Sequence, residues 1–300
     1  MTSKKTILIL FTSILLLLAL ANCKKKDQNI TIQKSEIVDE LDSAFQFDSV
    51  PQRVITLAPN LTEMIYELEI DDLLIGNTTY CNFPEKAKGI TKVGDLLTVD
   101  YEKIVSLKPD LIFITVEGNS KNTYDKLKEY GFEVFVSNPR NYNGIKKTFS
   151  DLGKIFNKEK FVSHKISEWD LIVDSIKIQS AKPDSASAMF LISIKPIMLA
   201  GGKTFVNEFI NFCGLKNIAA NSQVNYPLFS REEILSKNPN YIIHSFMQKD
   251  AAIDIKKVYP EWKNLNAIKN SNIISVDPDL FFRPGPRFVI ALQDLHKKLN

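Results

Sequence analysis

The sequence predicts an α/β protein with two lobes, and three observations support this prediction. A helix–proline–strand pattern occurs twice, as EKIVSLKPDLIFI beginning at Glu102 and as EEILSKNPNYIIH beginning at Glu232. Each copy ends in a mostly apolar run, which is typical of a strand covered on both faces of a parallel sheet. The chain of 300 residues also exceeds one ordinary hydrophobic core and divides naturally into two domains.

The first 22 residues have the pattern of an export signal. Lys4 and Lys5 precede an apolar run over residues 7–20, which is too short to cross a bilayer comfortably. The following stretch, LANCKKK, resembles a bacterial lipobox, in which the cysteine, here Cys23, is acylated; Asn22 departs from the usual small residue. We predict a lipoprotein signal peptide and a membrane-anchored protein in the periplasm or at the cell surface, with an uncleaved anchor or ordinary secretion as alternatives.

Composition excludes several classes of protein. Hydrophobic residues make up 44% and charged residues 24% of the chain, as in an ordinary soluble protein. The signal contributes two of the 38 basic residues, which leaves 36 against 35 acidic ones. This balance does not favour a nucleic-acid partner. Cys81 and Cys213 remain after export and fall in different predicted lobes, so we expect two unpaired thiols.

The first lobe is predicted to follow a polar, lipid-anchored tether. Residues 23–50 begin with Cys23 and three lysines and include the start of a hairpin near Ile30. Residues 51–142 then alternate strands with helices, beginning with RVITLAPNLTEMIYELEI, in which Asn60 or Thr62 can cap a helix.

Two further helix boundaries can be located in this lobe. We expect Asp100 to cap the helix of the first repeat. We also expect Gly131 to end a helix over residues 121–130, because glycine readily adopts the left-handed conformation that closes helices.

A helical connector over residues 143–185 is predicted to join the lobes. Its second half, residues 158–180, contains few helix breakers and is long enough for one helix of roughly 30 Å. Residues 186–300 return to alternating strands and helices, and the last helix is expected over residues 286–299. The predicted fold is therefore two Rossmann-like lobes joined by a single long backbone helix. A ligand cleft is expected between the lobes, at the carboxyl ends of the strands.

Six stretches, in order and over residues 50–300, carry a resemblance to a known family: RVITLAPNLTE, YCNFP, DYEKIVSLKPDLIFI, SREEIL, EWKNLNAIKNSNIISVD and RPGPR. Together they resemble the helical-backbone periplasmic binding proteins that serve cobalamin and ferric-siderophore ABC importers. The resemblance is strongest to the cobalamin-binding branch. It implies capture of an organometallic nutrient and its delivery to an ABC permease and ATPase complex by a monomeric receptor with no resident cofactor.

The resemblance also implies a role for the repeated glutamates. In proteins of this type each lobe presents a glutamate that docks into an arginine pocket of the permease, and Glu102 and Glu232 fall on those positions. A carboxylate and a guanidinium can form a bidentate pair. From the residues alone, both glutamates would only favour the positive end of a helix dipole. Glu233 is the neighbouring carboxylate from which Glu232 must be distinguished.

The resemblance further implies a ligand-binding set of six residues: Pro59, Tyr80, Leu96, Tyr226, Asp279 and Arg283. The two tyrosines offer broad rings to a flat hydrophobic ligand. Arg283 can hold carbonyl, carboxylate or phosphate oxygens, and Asp279 can accept from amide donors. Leu96 and Tyr226 stand where cobalamin-binding relatives carry tryptophan. Arg287, in the same RPGPR stretch as Arg283, is expected to be a surface or structural arginine.

Other functions stay open at this stage. A ferric siderophore or haem is the main alternative ligand, because Tyr80 can stack or ligate iron. A protein-bound metal is not expected, since the chain has only His164, His244 and His296, which fall on separate elements. A surface-anchored hydrolase is the alternative from a different class. The sequence lacks the G-x-S-x-G, H-E-x-x-H and G-x-G-x-x-G motifs, so we expect no enzyme.

Overall fold

The structure is a computed structural model that describes residues 37–181, 186–246 and 251–300. The predicted signal peptide, the lipidation site at Cys23 and the hairpin start near Ile30 lie outside these residues. Within the described ranges the chain forms a first α/β lobe, two connecting helices and a second α/β lobe. The two-lobed α/β fold predicted from the sequence is therefore confirmed. The domain boundaries themselves, at residues 22, 50, 142 and 185, stay a prediction.

The first lobe is built on a parallel four-stranded sheet in the order β4-β3-β5-β6. These strands are β3 (Val54–Thr56), β4 (Leu74–Asn77), β5 (Leu111–Thr115) and β6 (Val134–Ser137). The helices between them are α1 (Pro59–Glu67), α2 (Tyr101–Leu107) and α3 (Lys121–Glu129), with 3₁₀ turns at Asp71–Leu73 and Glu85–Gly89. Every residue of β5 is buried, as expected for a strand covered on both faces.

A short antiparallel hairpin precedes this sheet. Its strands are β1 (Ile37–Val38) and β2 (Ala44–Phe45). The buried Asp39 holds the hairpin to the lobe, because its carboxylate accepts hydrogen bonds from the backbone of its own turn and from the Val136 N–H of β6, at 3.1 Å.

Two helices lead from the first lobe to the second. They are α4 (Tyr142–Ile155) and α5 (Glu159–Ser180). The 22 residues of α5 span about 33 Å at 1.5 Å per residue, so the predicted long connecting helix is confirmed. Trp169 of α5 packs on Phe149 of α4 with 5.0 Å between the ring centroids.

The second lobe contains a five-stranded sheet in the order β11-β10-β7-β8, with β9 also pairing to β7. Its strands are β7 (Ser187–Ser193), β8 (Met198–Leu199), β9 (Lys216–Asn217), β10 (Tyr241–His244) and β11 (Ile273–Ser275). Its helices are α6 (Val206–Phe212), α7 (Arg231–Lys237), α8 (Ala251–Val258), α9 (Asn266–Lys269), α10 (Pro278–Phe281) and α11 (Phe288–Leu299), with a 3₁₀ turn at Pro260–Asn264. Among the described strands of this sheet, β8 alone runs antiparallel to its neighbour.

The two sequence repeats have the same structure. Each forms a seven-residue helix, α2 or α7, that leads into a central parallel strand, β5 or β10. Each helix has a side-chain N-cap, one buried isoleucine and a left-handed residue at its C-cap: Asp100, Ile104 and Lys108 in the first repeat, and Ser230, Ile234 and Asn238 in the second. In both copies the left-handed residue directly precedes the proline, so the helix ends where the sequence predicts.

Some predicted helix ends are confirmed and others are wrong. Gly131 follows α3 with a φ of 80°, as expected for a glycine that closes a helix. Neither Asn60 nor Thr62 caps α1, which begins at Pro59 without a side-chain cap, because proline fits the first helical position. The last helix begins at Phe288 instead of residue 286, since the Pro-Gly-Pro segment forms the turn before it.

Aromatic side chains dominate the core where α11 meets α4 and α6. Phe288 is 1% exposed, and its ring lies 4.7 Å from Phe209 and 5.1 Å from Tyr142, measured between centroids. Phe205 and Phe212 also pack against it, at 5.5 and 5.9 Å. Phe288 therefore joins the final helix both to the connector and to the second lobe.

Both cysteines in the described part of the chain are buried free thiols. The Cys81 sulfur lies 3.0 Å from the Thr62 hydroxyl and 3.2 Å from the Thr78 hydroxyl. Burial raises the pKa of the Cys213 thiol to about 12.

We expect both thiols to resist modification in the folded protein. Cys81 is only 1% exposed, so the reagent has little access to it. At pH 8 the Cys213 thiol, with a pKa of about 12, is ionised to only roughly one part in 10⁴, and the thiolate is the reactive form. Iodoacetamide labelling of a fragment beginning at Lys26, followed by mass spectrometry, should modify Cys81 and Cys213 at least a hundredfold more slowly than in guanidinium chloride. Labelling at equal rates in the two conditions would contradict this expectation.

Candidate functional site

A cavity of about 440 Å³ lies between the two lobes, at the carboxyl ends of the strands. All six residues predicted as ligand-binding line it: Pro59, Tyr80, Leu96, Tyr226, Asp279 and Arg283. The first three belong to the first lobe and the last three to the second. The structure therefore brings the predicted set together in one cleft, and their contact with a ligand stays a prediction.

Two tyrosines face this cleft from opposite lobes. Tyr80 belongs to a turn after β4, in which the Cys81 N–H donates to the Thr78 carbonyl at 3.1 Å. Tyr226 precedes Pro227 in a segment that bonds to the backbone around residues 199–201. The side chains are 55% and 47% exposed, respectively, so each offers a ring face that the protein itself does not cover. Burial, and secondarily the nearby Glu117 charge, raise the pKa of Tyr226.

Leu96 is presented to the cleft by a structured loop. The Asp95 carboxylate accepts hydrogen bonds from the Leu97 N–H at 2.8 Å and from the Thr98 N–H at 2.6 Å. These bonds, of which that from Thr98 has the larger effect, lower the pKa of Asp95. The loop places Leu96 in the cleft wall and leaves Leu97 92% exposed beside it.

Arg283 lines the cleft, yet it is already held by other side chains. Its guanidinium donates to the Asp279 carboxylate and to the Asn82 side-chain oxygen, both at 2.7 Å. The Asn82 amide in turn donates to Asp279 at 2.9 Å. Because Asn82 belongs to the first lobe, this cluster of three side chains crosses the floor of the cleft.

A buried ion pair beside this cluster was missed by the sequence analysis. Glu63 of α1 is 2% exposed in its side chain and forms two hydrogen bonds with the Arg287 guanidinium, at 2.5 and 2.9 Å. Arg287 is thus structural, but it is not on the surface. Burial raises the pKa of Glu63, an effect that Arg287 and then Arg283 oppose. Glu63 lies three residues after Asn60 and four before Glu67, so no local pattern in the sequence marked this glutamate as buried.

Further wall residues come from the carboxyl ends of β5 and β6. They are Thr115 at the end of β5, Glu117 and Gly118 after it, and Asn138 and Pro139 after β6. The rule that ligands bind beyond the carboxyl ends of parallel strands would have located them. Glu117 forms an ion pair with Arg140 at 3.2 Å.

The two repeated glutamates are exposed in the first turns of α2 and α7. Among the residues that the structure describes, neither the Glu102 nor the Glu232 carboxylate has an ion-pair or hydrogen-bond partner. Glu233 differs, because its carboxylate accepts from the Ser230 N–H at 2.7 Å in a capping box, which lowers its pKa. A groove of about 350 Å³ lies beside Glu232, and Arg231 in its wall stacks over the Tyr259 ring.

The three histidines do not converge. His164 faces Glu168 on α5, His244 is buried against Phe246, and His296 contacts Ser180. Within the described ranges, no group of three or more potential ligand side chains could hold a metal ion.

Two α/β lobes, joined by one long helix and enclosing a cleft lined from both sides, define a bilobal ligand-binding protein. The model of the periplasmic binding protein family matches residues 54–280, and the chain belongs to that family. Its members bind substrates for ABC transporters and are not enzymes. No helix in the described ranges is long and apolar enough to span a membrane.

Individual proteins within this family are also similar to the chain. The chain is 28% identical to a vitamin B12-binding protein of Vibrio campbellii over 245 residues, which cover 81% of this chain and 88% of that protein. It is 29% identical over 256 residues to YvrC of Bacillus subtilis, an uncharacterized ABC transporter substrate-binding lipoprotein, covering 83% of this chain and 80% of that one.

A solved structure shows a similar relationship. The periplasmic vitamin B12-binding protein BtuF of Vibrio cholerae has a TM-score of 0.71 to this chain at 27% identity, and the match covers 83% of this chain and 97% of BtuF. Haem-binding periplasmic proteins also share the fold, at 18–20% identity.

Proposed function

We propose that this protein is an extracytoplasmic lipoprotein that captures cobalamin and delivers it to the permease of an ABC importer. The observation that carries this proposal is a cleft to which each lobe contributes a half-exposed tyrosine and whose described charged lining residues are all paired within the chain. The likeness to vitamin B12-binding proteins supports the same ligand.

The aromatic rings suit a large, flat, partly apolar ligand. Tyr80 and Tyr226 are each about half exposed, so a ligand between the lobes can cover the face that each leaves open. A fully covered aromatic side chain buries about 150–250 Å². The corrin ring of cobalamin offers such a surface. A corrinoid is larger than the cavity, so it would extend to the mouth of the cleft, where Leu97 is exposed.

The charges of the cleft favour a ligand without net charge. Arg283 is the only basic side chain among the described lining residues, and it is paired with Asp279. The other acidic lining residue, Glu117, is paired with Arg140. Cyanocobalamin carries no net charge and many amide groups, which can donate to the Asp279 carboxylate and can donate to or accept from the Asn60 and Asn138 side chains.

Haem or a ferric siderophore is the alternative ligand. Tyr80 could ligate iron, and haem-binding proteins share this fold. However, haem carries two propionates and many siderophore complexes are anionic. Such ligands would need cations that are not already paired. The chemistry of the cleft therefore ranks cobalamin first.

Delivery would use the lipid anchor and the two exposed glutamates. Lipid on Cys23 would keep the receptor at the membrane, and YvrC, a relative of similar length, is described as a lipoprotein. Glu102 and Glu232, which have no partner among the described residues, can pair with arginines of a permease. The groove beside Glu232 would admit a partner's side chain.

The alternative of a hydrolase has no support in this site. Its two neighbouring carboxylates already have other roles, since Asp277 caps a helix and Asp279 forms an ion pair with Arg283.

Calorimetric titration tests the ligand. The fragment beginning at Lys26 should bind one cyanocobalamin saturably and bind a ferric siderophore or haem more weakly. Tyr80→Ala and Tyr226→Ala should each weaken cobalamin binding at least about tenfold, because each removes a stacking contact worth about 1 kcal/mol as well as the apolar area that the ring buries, and about 1.4 kcal/mol is already tenfold. Arg283→Ala should also weaken it.

Tyr130→Ala is the matched control, because Tyr130 is 56% exposed and does not line the cleft. It should leave the affinity unchanged. Absence of cobalamin binding together with clear siderophore or haem binding would keep the transport class and overturn the ligand.

A further inference from the structure

Glu63 belongs to a charge cluster that spans the two lobes at the floor of the cleft. Its carboxylate lies 2.5 Å from Arg287 and 3.4 Å from Arg283, measured between the nearest atoms. Both guanidiniums are 12% exposed in their side chains, so water screens these charges poorly. Glu63 comes from α1 of the first lobe, whereas both arginines flank the Pro-Gly-Pro turn of the second.

The same turn is held to the first lobe by further contacts. Asn60, one turn before Glu63 on α1, donates from its side-chain nitrogen to the Pro284 carbonyl at 3.1 Å. The Arg287 guanidinium lies 4.1 Å from the centroid of the Phe83 ring and also donates to the Asp279 carbonyl at 3.1 Å. Arg287 is therefore fixed on three sides, and Glu63 is fixed by Arg287.

The charges of this cluster cancel only when Glu63 is included. Asp279 and Glu63 supply two carboxylates, and Arg283 and Arg287 supply two guanidiniums. Without the Glu63 charge, the floor of the cleft would carry one net positive charge next to the bound ligand. The exposed atoms of Arg283 would then present that charge to the cleft, because Arg283 is the member that lines it.

We propose that Glu63 is a positioning residue that determines ligand specificity. Asp279 balances one of the two guanidinium charges, and Glu63 balances the other. The cleft therefore selects corrinoids without net charge over anionic ones. This inference rests on the proposed function of the cleft. Glu63 does not line the cavity itself, and it acts on the ligand through Arg283 and Arg287.

The test uses two ligands that differ by one charge. Cyanocobalamin and its monocarboxylate, in which one peripheral propionamide is hydrolysed to a carboxylate, have nearly the same shape. The measured quantity is the ratio of their dissociation constants, monocarboxylate over cyanocobalamin, for the fragment beginning at Lys26. Glu63→Gln should lower this ratio about tenfold. The variant leaves one guanidinium charge unbalanced, and its low exposure to water strengthens its attraction for the additional carboxylate of the ligand.

Arg287→Gln should move the ratio in the opposite direction. It leaves Glu63 and Asp279 with only Arg283 between them, so the floor of the cleft gains a negative charge. The double variant Glu63→Gln with Arg287→Gln should return the ratio close to that of the unchanged protein. A role of Glu63 in folding alone would lower both affinities together and leave the ratio unchanged.

Glu67→Gln is the matched control. Glu67 lies one turn further along α1 and pairs with Lys165 of the connector at 3.0 Å, and it does not line the cleft. It should leave the ratio unchanged. An unchanged ratio in both Glu63→Gln and Arg287→Gln, with cyanocobalamin still bound by the unchanged protein, overturns this inference alone. Failure of the unchanged protein to bind cyanocobalamin overturns the proposed ligand, and the inference with it.

Discussion

Replacing both Glu102 and Glu232 by alanine should abolish ligand uptake while leaving ligand binding intact. Each glutamate is exposed, lies in the first turn of its helix and, among the described residues, has no partner within the chain. Removing one member of a buried charge pair at an interface costs about 2–5 kcal/mol. Losing two such pairs would therefore prevent productive docking. The measurement is uptake of labelled cobalamin by cells or proteoliposomes that carry the cognate importer, with calorimetric binding determined in parallel.

Glu159→Ala provides the matched control for this experiment. Glu159 is an exposed glutamate in the first turn of α5, outside both repeats. Its removal therefore loses the same kind of favourable interaction with a helix dipole as the removal of Glu102 or Glu232. It should leave uptake unchanged. Each single substitution, Glu102→Ala or Glu232→Ala, should reduce uptake and leave part of it. Unchanged uptake in the double variant would mean that the repeated helices serve a purpose other than docking.

Replacing Phe288 by alanine should destabilise the protein by about 3–5 kcal/mol, the range found when a buried aromatic side chain is removed from a core. Phe288 is 1% exposed and packs against four aromatic rings, which come from α4 and from the second lobe. The cavity would open where the connector, the last helix and α6 meet. Urea unfolding followed by circular dichroism measures the change in the free energy of unfolding.

The control is Leu171→Ala on the outer face of α5. Leu171 is 73% exposed, and leucine and alanine have similar helix propensities, so the change should stay within about 0.5 kcal/mol. A loss below about 1 kcal/mol for Phe288→Ala would contradict the prediction, because it would mean that the core repacks around the missing ring.

Much of the fold could be predicted because its signals are local. Pro109 and Pro239 each end a helix, and the apolar runs that follow identify buried parallel strands, so that the two repeats already imply two similar lobes. The absence of breakers in residues 158–180 predicts the long helix. The predicted N-cap of α1, Asn60 or Thr62, was wrong. Pro59 starts this helix, and the Asn60 side chain instead bonds to the second lobe.

The cluster around Glu63 could not be predicted in the same way. Its partners Arg283 and Arg287 lie 220 and 224 positions away along the chain, so no periodic pattern connects them. The sequence located Arg283 in the cleft through a family resemblance, but it could not reveal that Asp279, Asn82 and Glu63 already occupy its guanidinium. Pairing across an interface between lobes depends on how the lobes meet, and that information is spread over the whole chain.

The length of the connecting helix affects the angle between the two lobes about the helix axis. Each residue turns an α-helix by about 100°, so a single insertion within Glu159–Ser180 would rotate the second lobe by more than a quarter of a turn relative to the first. Glu102 and Glu232 would then present themselves at a new relative angle, even with both lobes correctly folded. An insertion of seven residues would nearly restore the angle but would lengthen the helix by about 10 Å. The proposed docking role of Glu102 and Glu232 would thus constrain the length of this helix in a way that it would not constrain the length of a surface loop.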